Sequence, residues 1–137
     1  FLAIANDIGN VIHDSIEEGN ELAENPDGSN RQDLSPFYAE EKRMRLKRDV
    51  ADFDFTGRAK ESLMYNTDED GLSFFHGNAE ADEYMYDHEF GNNGMPERRQ
   101  FAIESDMSGA RQQGVTQHIE VIIEEHLNTD RVIHVTK

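Results

Sequence analysis

The sequence predicts a single-domain α+β fold, with about four antiparallel strands packed by a long helix at each end of the chain. Three observations carry this. Apolar residues recur three and four apart near both ends, over Phe1–Ile16 and Val115–Leu127. Between them, aromatic residues alternate with polar ones and are punctuated by Asp70-Gly71 and Gly91-Asn92-Asn93-Gly94. A chain of 137 residues with 36% apolar content can build one modest core, and with no cysteine it has neither a disulfide scaffold nor a thiolate metal centre.

Residues 1–23 read as an amphipathic helix. Phe1, Ile4, Ala5, Ile8, Val11, Ile12 and Ile16 form the apolar stripe, with Asn6, Asp7, Asn10, Asp14, Glu17 and Glu18 facing away. Gly9 weakens this helix by up to ~1 kcal/mol, so it depends on packing. His13, at the edge of the stripe, reads as a boundary histidine. Phe1-Leu2-Ala3-Ile4-Ala5 is apolar without a basic flank, so no signal peptide is expected, and a start at Phe1 rather than Met implies that a few residues are missing or removed. Residues 24–34, with Asn25-Pro26-Asp27-Gly28, form a loop. A second helix spans 35–50, with Ser35 as N-cap and Pro36 in the first helical position.

A sheet region is expected over residues 53–104. Leu63–Asn66 and Leu72–Gly77 read as a hairpin across Thr67-Asp68-Glu69-Asp70-Gly71. Residues 78–83 read as a polar connection. In the next segment Tyr84, Tyr86, His88 and Phe90 share one strand face, with Met85, Asp87 and Glu89 on the other. A further strand is placed around Phe101. The last helix covers 109–127, capped by Ser108 or Asp106 and ended by Asn128-Thr129-Asp130, with Arg131–Thr136 as an edge strand or tail.

Three stretches in order carry a resemblance. They are Leu34-Ser35-Pro36 with Tyr38 and Lys42; Asp54-Phe55-Thr56-Gly57 leading to Ser62-Leu63; and His88-Glu89-Phe90-Gly91 followed by Pro96-Glu97-Arg98 and Phe101. Together they span about residues 28–103. The pattern resembles the virion morphogenesis (tail-completion) proteins of long-tailed bacteriophages. The resemblance implies a structural virion protein assembled in the host cytoplasm, forming a ring at the head–tail junction as tail terminator, neck or connector component. It implies as partners other copies of the chain, in a ring of about six or twelve, and neighbouring connector or tail proteins. Genome DNA would pass through without specific binding, and no membrane is involved.

The charge pattern is read independently. Net charge is −16, from 29 acidic and 13 basic residues, which argues against a duplex-binding outer surface. Five basic residues nevertheless fall within seven positions: Lys42, Arg43, Arg45, Lys47 and Arg48. A contrasting acidic segment holds Glu80, Asp82, Glu83, Asp87 and Glu89. These, with Arg98 and Arg99, are the interface candidates, because a head-to-tail contact joins two different patches. Arg98 and Arg99 suit salt bridges to acidic neighbours, or a phosphate.

Catalytic motifs are not legible. The six histidines are scattered; His118 and His126 are eight apart with no zinc-type partner. No nucleophile elbow, phosphate loop or dinucleotide fingerprint occurs. Asp52 and Asp54 suit a hard cation, but no downstream ligand set completes a site. No enzyme activity, metal or cofactor is therefore expected. Two other readings remain: an acidic protein that mimics DNA and inhibits a DNA-binding partner, and a metal-dependent enzyme built on Asp52 and Asp54.

Overall fold

A computed structural model describes residues 2–46, 62–68 and 71–135. Helix α1, Leu2–Glu21, is followed by a looped segment and by α2, Pro36–Leu46. Strands β1, Leu63–Asp68, and β2, Gly71–His76, form an antiparallel hairpin, paired from Leu63↔His76 to Asp68↔Gly71. Helix α3 is Ala79–Phe90, a 3-10 turn covers Glu104–Asp106, and α4 is Ala110–Val135. The class is α+β. Among the described residues none of the helices is long and apolar enough to cross a membrane.

The helices at both ends are present where the apolar spacing puts them. Helix α4 runs antiparallel to α1. Gln112 at its start donates to the Pro26 carbonyl at 3.0 Å, and His126 meets Asp7 at 2.9 Å near the start of α1. Ser35 caps α2 through its hydroxyl, which accepts from the Tyr38 N–H at 3.4 Å, and Pro36 is its first residue. The hairpin is present where the sequence puts it, and the Gly71 N–H donates to the Asp68 carboxylate at 3.1 Å.

Several expectations are corrected. The sheet among the described residues has two strands, not about four. Residues 79–90, expected as a polar connection and a strand, form a helix. Asn78 caps it by accepting from the Ala81 N–H at 3.1 Å, and Gly91 ends it at φ 66°, donating to the Asp87 carbonyl. Its buried residues, Ala81, Met85 and His88, are spaced by four and three, a helical period that the Tyr-x-Tyr-x-His-x-Phe alternation masks. The segment around Phe101 is not a strand because side chains take its backbone donors. Arg99 N–H donates to Asn25 at 2.9 Å, and Gln100 and Phe101 N–H both donate to Glu89, at 2.6 and 3.2 Å.

A further correction lies at the C-terminal helix. Helix α4 continues through Asn128-Thr129-Asp130 to Val135, so 131–135 is helix rather than strand or tail. No glycine or proline follows Gly114, and adding a residue to an existing helix costs far less than starting one. Asp106 does not cap α4; its carboxylate accepts from Arg99 and from the Ile103 N–H at 2.8 Å.

Helix α1 packs on the hairpin at Gly9. The Tyr65 ring lies over this position, and its hydroxyl donates to the Asn6 carbonyl at 3.2 Å and to the Asn10 side chain at 2.7 Å. A Cβ at Gly9 would meet Tyr65 Cε2 at 2.5 Å, whereas one at Gly114 in α4 meets nothing. Gly9→Ala is therefore expected to lose about 1–3 kcal/mol by overpacking, despite its better helix propensity. Gly114→Ala is expected to gain up to about 1 kcal/mol. Urea unfolding of the two variants checks both signs.

Candidate functional site

The interior is unusually polar. Among the described residues the buried apolar side chains are Ala5, Ile16, Leu63, Ala81 and Met85, while Asn20, Arg31, Lys42, His76, His88, Arg98, Gln100, Asp106 and Gln112 are buried too. Buried polar groups must find partners or forfeit about 1–3 kcal/mol each. Here Asn20, Arg31, His76 and Gln100 bond to one another, Asp106 pairs with Arg99, and Arg98 and Gln112 donate to backbone carbonyls.

One chain of hydrogen bonds runs from Arg31 to Ser62. An Arg31 N–H donates to Asn20 Oδ1 at 2.6 Å, and Asn20 Nδ2 donates to Gln100 Oε1 at 3.2 Å. Gln100 Nε2 lies 2.5 Å from His76 Nε2, and His76 Nδ1 lies 2.9 Å from Ser62 Oγ. Arg31 has no acceptor atom, so the direction of donation is fixed along the whole line. His76 must accept at Nε2, and so carries its proton on Nδ1 and donates to Ser62.

A second set surrounds Arg98 and Arg99. Arg98, 6% exposed, donates through Nε to the Gln32 carbonyl and through a terminal nitrogen to the Asp33 carbonyl, both at 2.7 Å. Its own N–H donates to the His88 carbonyl at 2.8 Å. Burial pulls the Arg98 guanidinium below its ordinary range, opposed by the charges of Tyr84, Asp33 and Tyr38. Arg99 forms a two-pronged pair with Asp106, at 2.6 and 2.7 Å. The hydrogen bond from Arg99 holds the Asp106 carboxyl below its usual range, and the same contact raises Arg99. His88 stacks edge-on against Tyr84, with centroids 4.6 Å apart. Burial pushes the His88 imidazole pKa down, helped by the charge of Arg98, while hydrogen bonding to the Pro96 backbone opposes it. Burial raises Glu89, against the two N–H donors it receives from Gln100 and Phe101.

A cavity of about 440 Å³ lies between α1, β2, the segment after Gln100 and α4. Ile12, Ile16, Phe74, Phe101, Val115 and Ile119 are part of its wall. Arg111 stands at its polar side, paired with Glu24 and 3.8 Å from Glu18. Two carboxylates already neutralise that guanidinium, so it offers little to an anionic ligand. Among the described residues the grouping with metal-ligand geometry is His13, Asp14 and Glu17, and His13 Nε2 is bound to the Leu63 carbonyl at 3.1 Å.

The residues singled out from sequence divide sharply. Ser35, Pro36, Ser62, Leu63, His88, Gly91 and Arg98 hold the joints just described, and Phe101 lines the cavity. Leu34, Tyr38 and Pro96 are half-buried, and Phe90 is exposed. Of the interface candidates, Lys42 is 2% exposed and Glu89, Arg98 and Arg99 are engaged inside the fold. These four are not on offer to a partner. Arg43, Arg45, Glu80, Asp82 and Glu83 are exposed, and Asp87 is half-exposed. Lys47, Arg48, Asp52, Asp54, Thr56 and Gly57 lie outside the described residues. Asn20, Arg31, His76 and Gln100 were not singled out from sequence, since isolated polar residues give no periodic signal. No protein-family model, curated protein or solved structure matches the chain.

Two substitutions test these contacts. Asp106→Asn strips the charge from a buried pair and is expected to lose about 3–5 kcal/mol at neutral pH. Because the folded Asp106 pKa is depressed, that deficit is full above the ordinary carboxylate value of 3.8 and shrinks as pH falls through the folded value. His88 is depressed from 6.5, so the unfolded chain takes up a proton that the folded chain resists as pH drops below that value. His88→Phe keeps the ring contact with Tyr84 and is expected to reduce the loss of stability between about pH 7 and 5. Chemical denaturation across pH measures both.

Proposed function

We propose that this chain is a structural virion protein of a tailed bacteriophage, forming a ring at the head–tail junction through which DNA passes. The observation that carries the reading is the convergence around Arg98. Its side chain holds residues 32 and 33, immediately before Leu34-Ser35-Pro36, while its backbone holds His88. Two of the three stretches that carry the resemblance, more than fifty residues apart in the sequence, thus meet at one joint, and the contacts they make there support a role in the framework of a building block.

The surface charge supports the same reading. Helix α2 exposes Arg43 and Arg45, and α3 exposes Glu80, Asp82 and Glu83. Opposite charges on separate elements of one chain suit a repeating head-to-tail contact. The excess acidity behind the net charge of −16 would repel DNA phosphates and leave the passage free of sticking.

Native mass spectrometry and light scattering of the purified chain at low and high salt test this. A closed oligomer of about six or twelve copies that loosens as salt screens its charges is expected. A salt-independent monomer that displaces DNA from a DNA-binding protein would overturn the reading and leave the DNA-mimic function in its place.

A further inference from the structure

Among the described residues, the four most exposed aromatic and methionine side chains fall into two pairs, one on each of the helices that carry opposite charge. On α2, Phe37 is 77% and Met44 81% exposed. On α3, Tyr86 is 59% and Phe90 63% exposed, their rings in tilted contact with centroids 4.7 Å apart. Helical geometry explains both pairs. Phe37 and Met44 are seven residues apart, two turns along one side of α2, and that side is opposite the buried Lys42. Tyr86 and Phe90 are four apart on α3, turned away from the buried Ala81, Met85 and His88.

Each apolar pair has a charged border of one character. Met44 lies between Arg43 and Arg45, in the stretch of the sequence richest in basic residues. Tyr86 and Phe90 share the outward side of α3 with Glu83 and Asp87, and residues 78–89 contain five acids and no lysine or arginine. An apolar centre rich in aromatic, methionine and arginine side chains, with charge at the edge, is the usual make-up of a protein contact. Like cannot face like here. Two α2 surfaces would oppose Arg43 and Arg45 to their own copies, and two α3 surfaces would oppose Glu83 and Asp87 to theirs, and like charges set against each other disfavour both pairings.

We infer that the Phe37–Met44 face of α2 docks on the Tyr86–Phe90 face of α3 in a second copy of this chain. The contact is heterologous: each copy offers one face to its predecessor and the other to its successor. It rests on the proposed ring, which it supplies with a specific interface and a direction. Lys42, which is buried, takes no part, whereas Arg43 and Arg45 are exposed and border the contact.

The absence of cysteine makes a clean test. Met44→Cys and Phe90→Cys each introduce a single thiol, and the double variant carries both. With a short bismaleimide at the concentration where the wild-type chain is weighed, the double variant is expected to give a ladder of covalent oligomers. A mixture of the two single variants should stop at dimers, and each single variant alone should stay monomeric. Adding Arg43→Glu and Arg45→Glu to the double variant should abolish the ladder, and Glu83→Arg with Asp87→Arg on top should restore it. An oligomer in solution with no ladder would overturn this pairing and leave the ring standing. A ladder from open filaments with no closed species would keep the pairing and overturn the ring. Dimers from either single variant alone would show a like-to-like contact and contradict the inference, as would a chain that neither associates nor cross-links.

Discussion

A buried guanidinium cannot accept a hydrogen bond, and that restriction sets the orientation of the interior. Arg31 can only donate. Asn20 must therefore present its oxygen to it, which turns the Asn20 amide nitrogen toward Gln100. Gln100 in turn presents its own nitrogen to His76, and His76 its protonated nitrogen to Ser62. Each member has one arrangement that satisfies its neighbours. Reversing any of them sets two donors or two acceptors face to face in a place water does not freely reach. The line joins the end of α1, the loop after it, the segment before α4 and both ends of the hairpin, so orientation at one point is transmitted to all of them.

The same economy of apolar burial explains the second joint. With few fully buried aliphatic side chains, the segment after Pro96 is held by charge-assisted bonds: Arg98 to two carbonyls, Arg99 to Asp106, Glu89 to two N–H groups. Such contacts are directional and fix position more sharply than apolar packing, which tolerates sliding. The faces of α2 and α3 that point outward lie opposite the residues buried on each helix, Lys42 on one and Met85 and His88 on the other.

The parts of this fold that follow from apolar periodicity were legible in the sequence. Helix α1 with its Ile12 and Ile16 stripe, the Ser35-Pro36 start of α2 and the Asp-Gly hairpin all stand where propensity and spacing put them. Helix α3 was misread because Tyr84, Tyr86, His88 and Phe90 alternate with a period of two, while the residues that pack, Ala81, Met85 and His88, follow a helical period with small or polar members. Its signals were nonetheless present: Asn78 as cap, Glu80 and Asp82 in the first turn, and Gly91 beyond the last. The hydrogen-bonded line from Arg31 to Ser62 was not legible at all. Its partners are up to 80 residues apart and belong to no pattern, and only the folded chain brings them together. The basic run of 42–48 shows the opposite error: as sequence it is one patch, and as structure Lys42 belongs to the interior.

The state of the His76 ring tests this account most directly. Nitrogen-15 NMR of the imidazole, read through the coupling of each ring nitrogen to its carbon-bound protons, distinguishes the two neutral tautomers at neutral pH. A single neutral form with the proton on Nδ1, slow to exchange, is expected, with loss of that signature when Gln100 is replaced by methionine. A proton on Nε2, or a ring averaging rapidly between the two forms, would contradict it, because the direction imposed by Arg31 would then not reach His76.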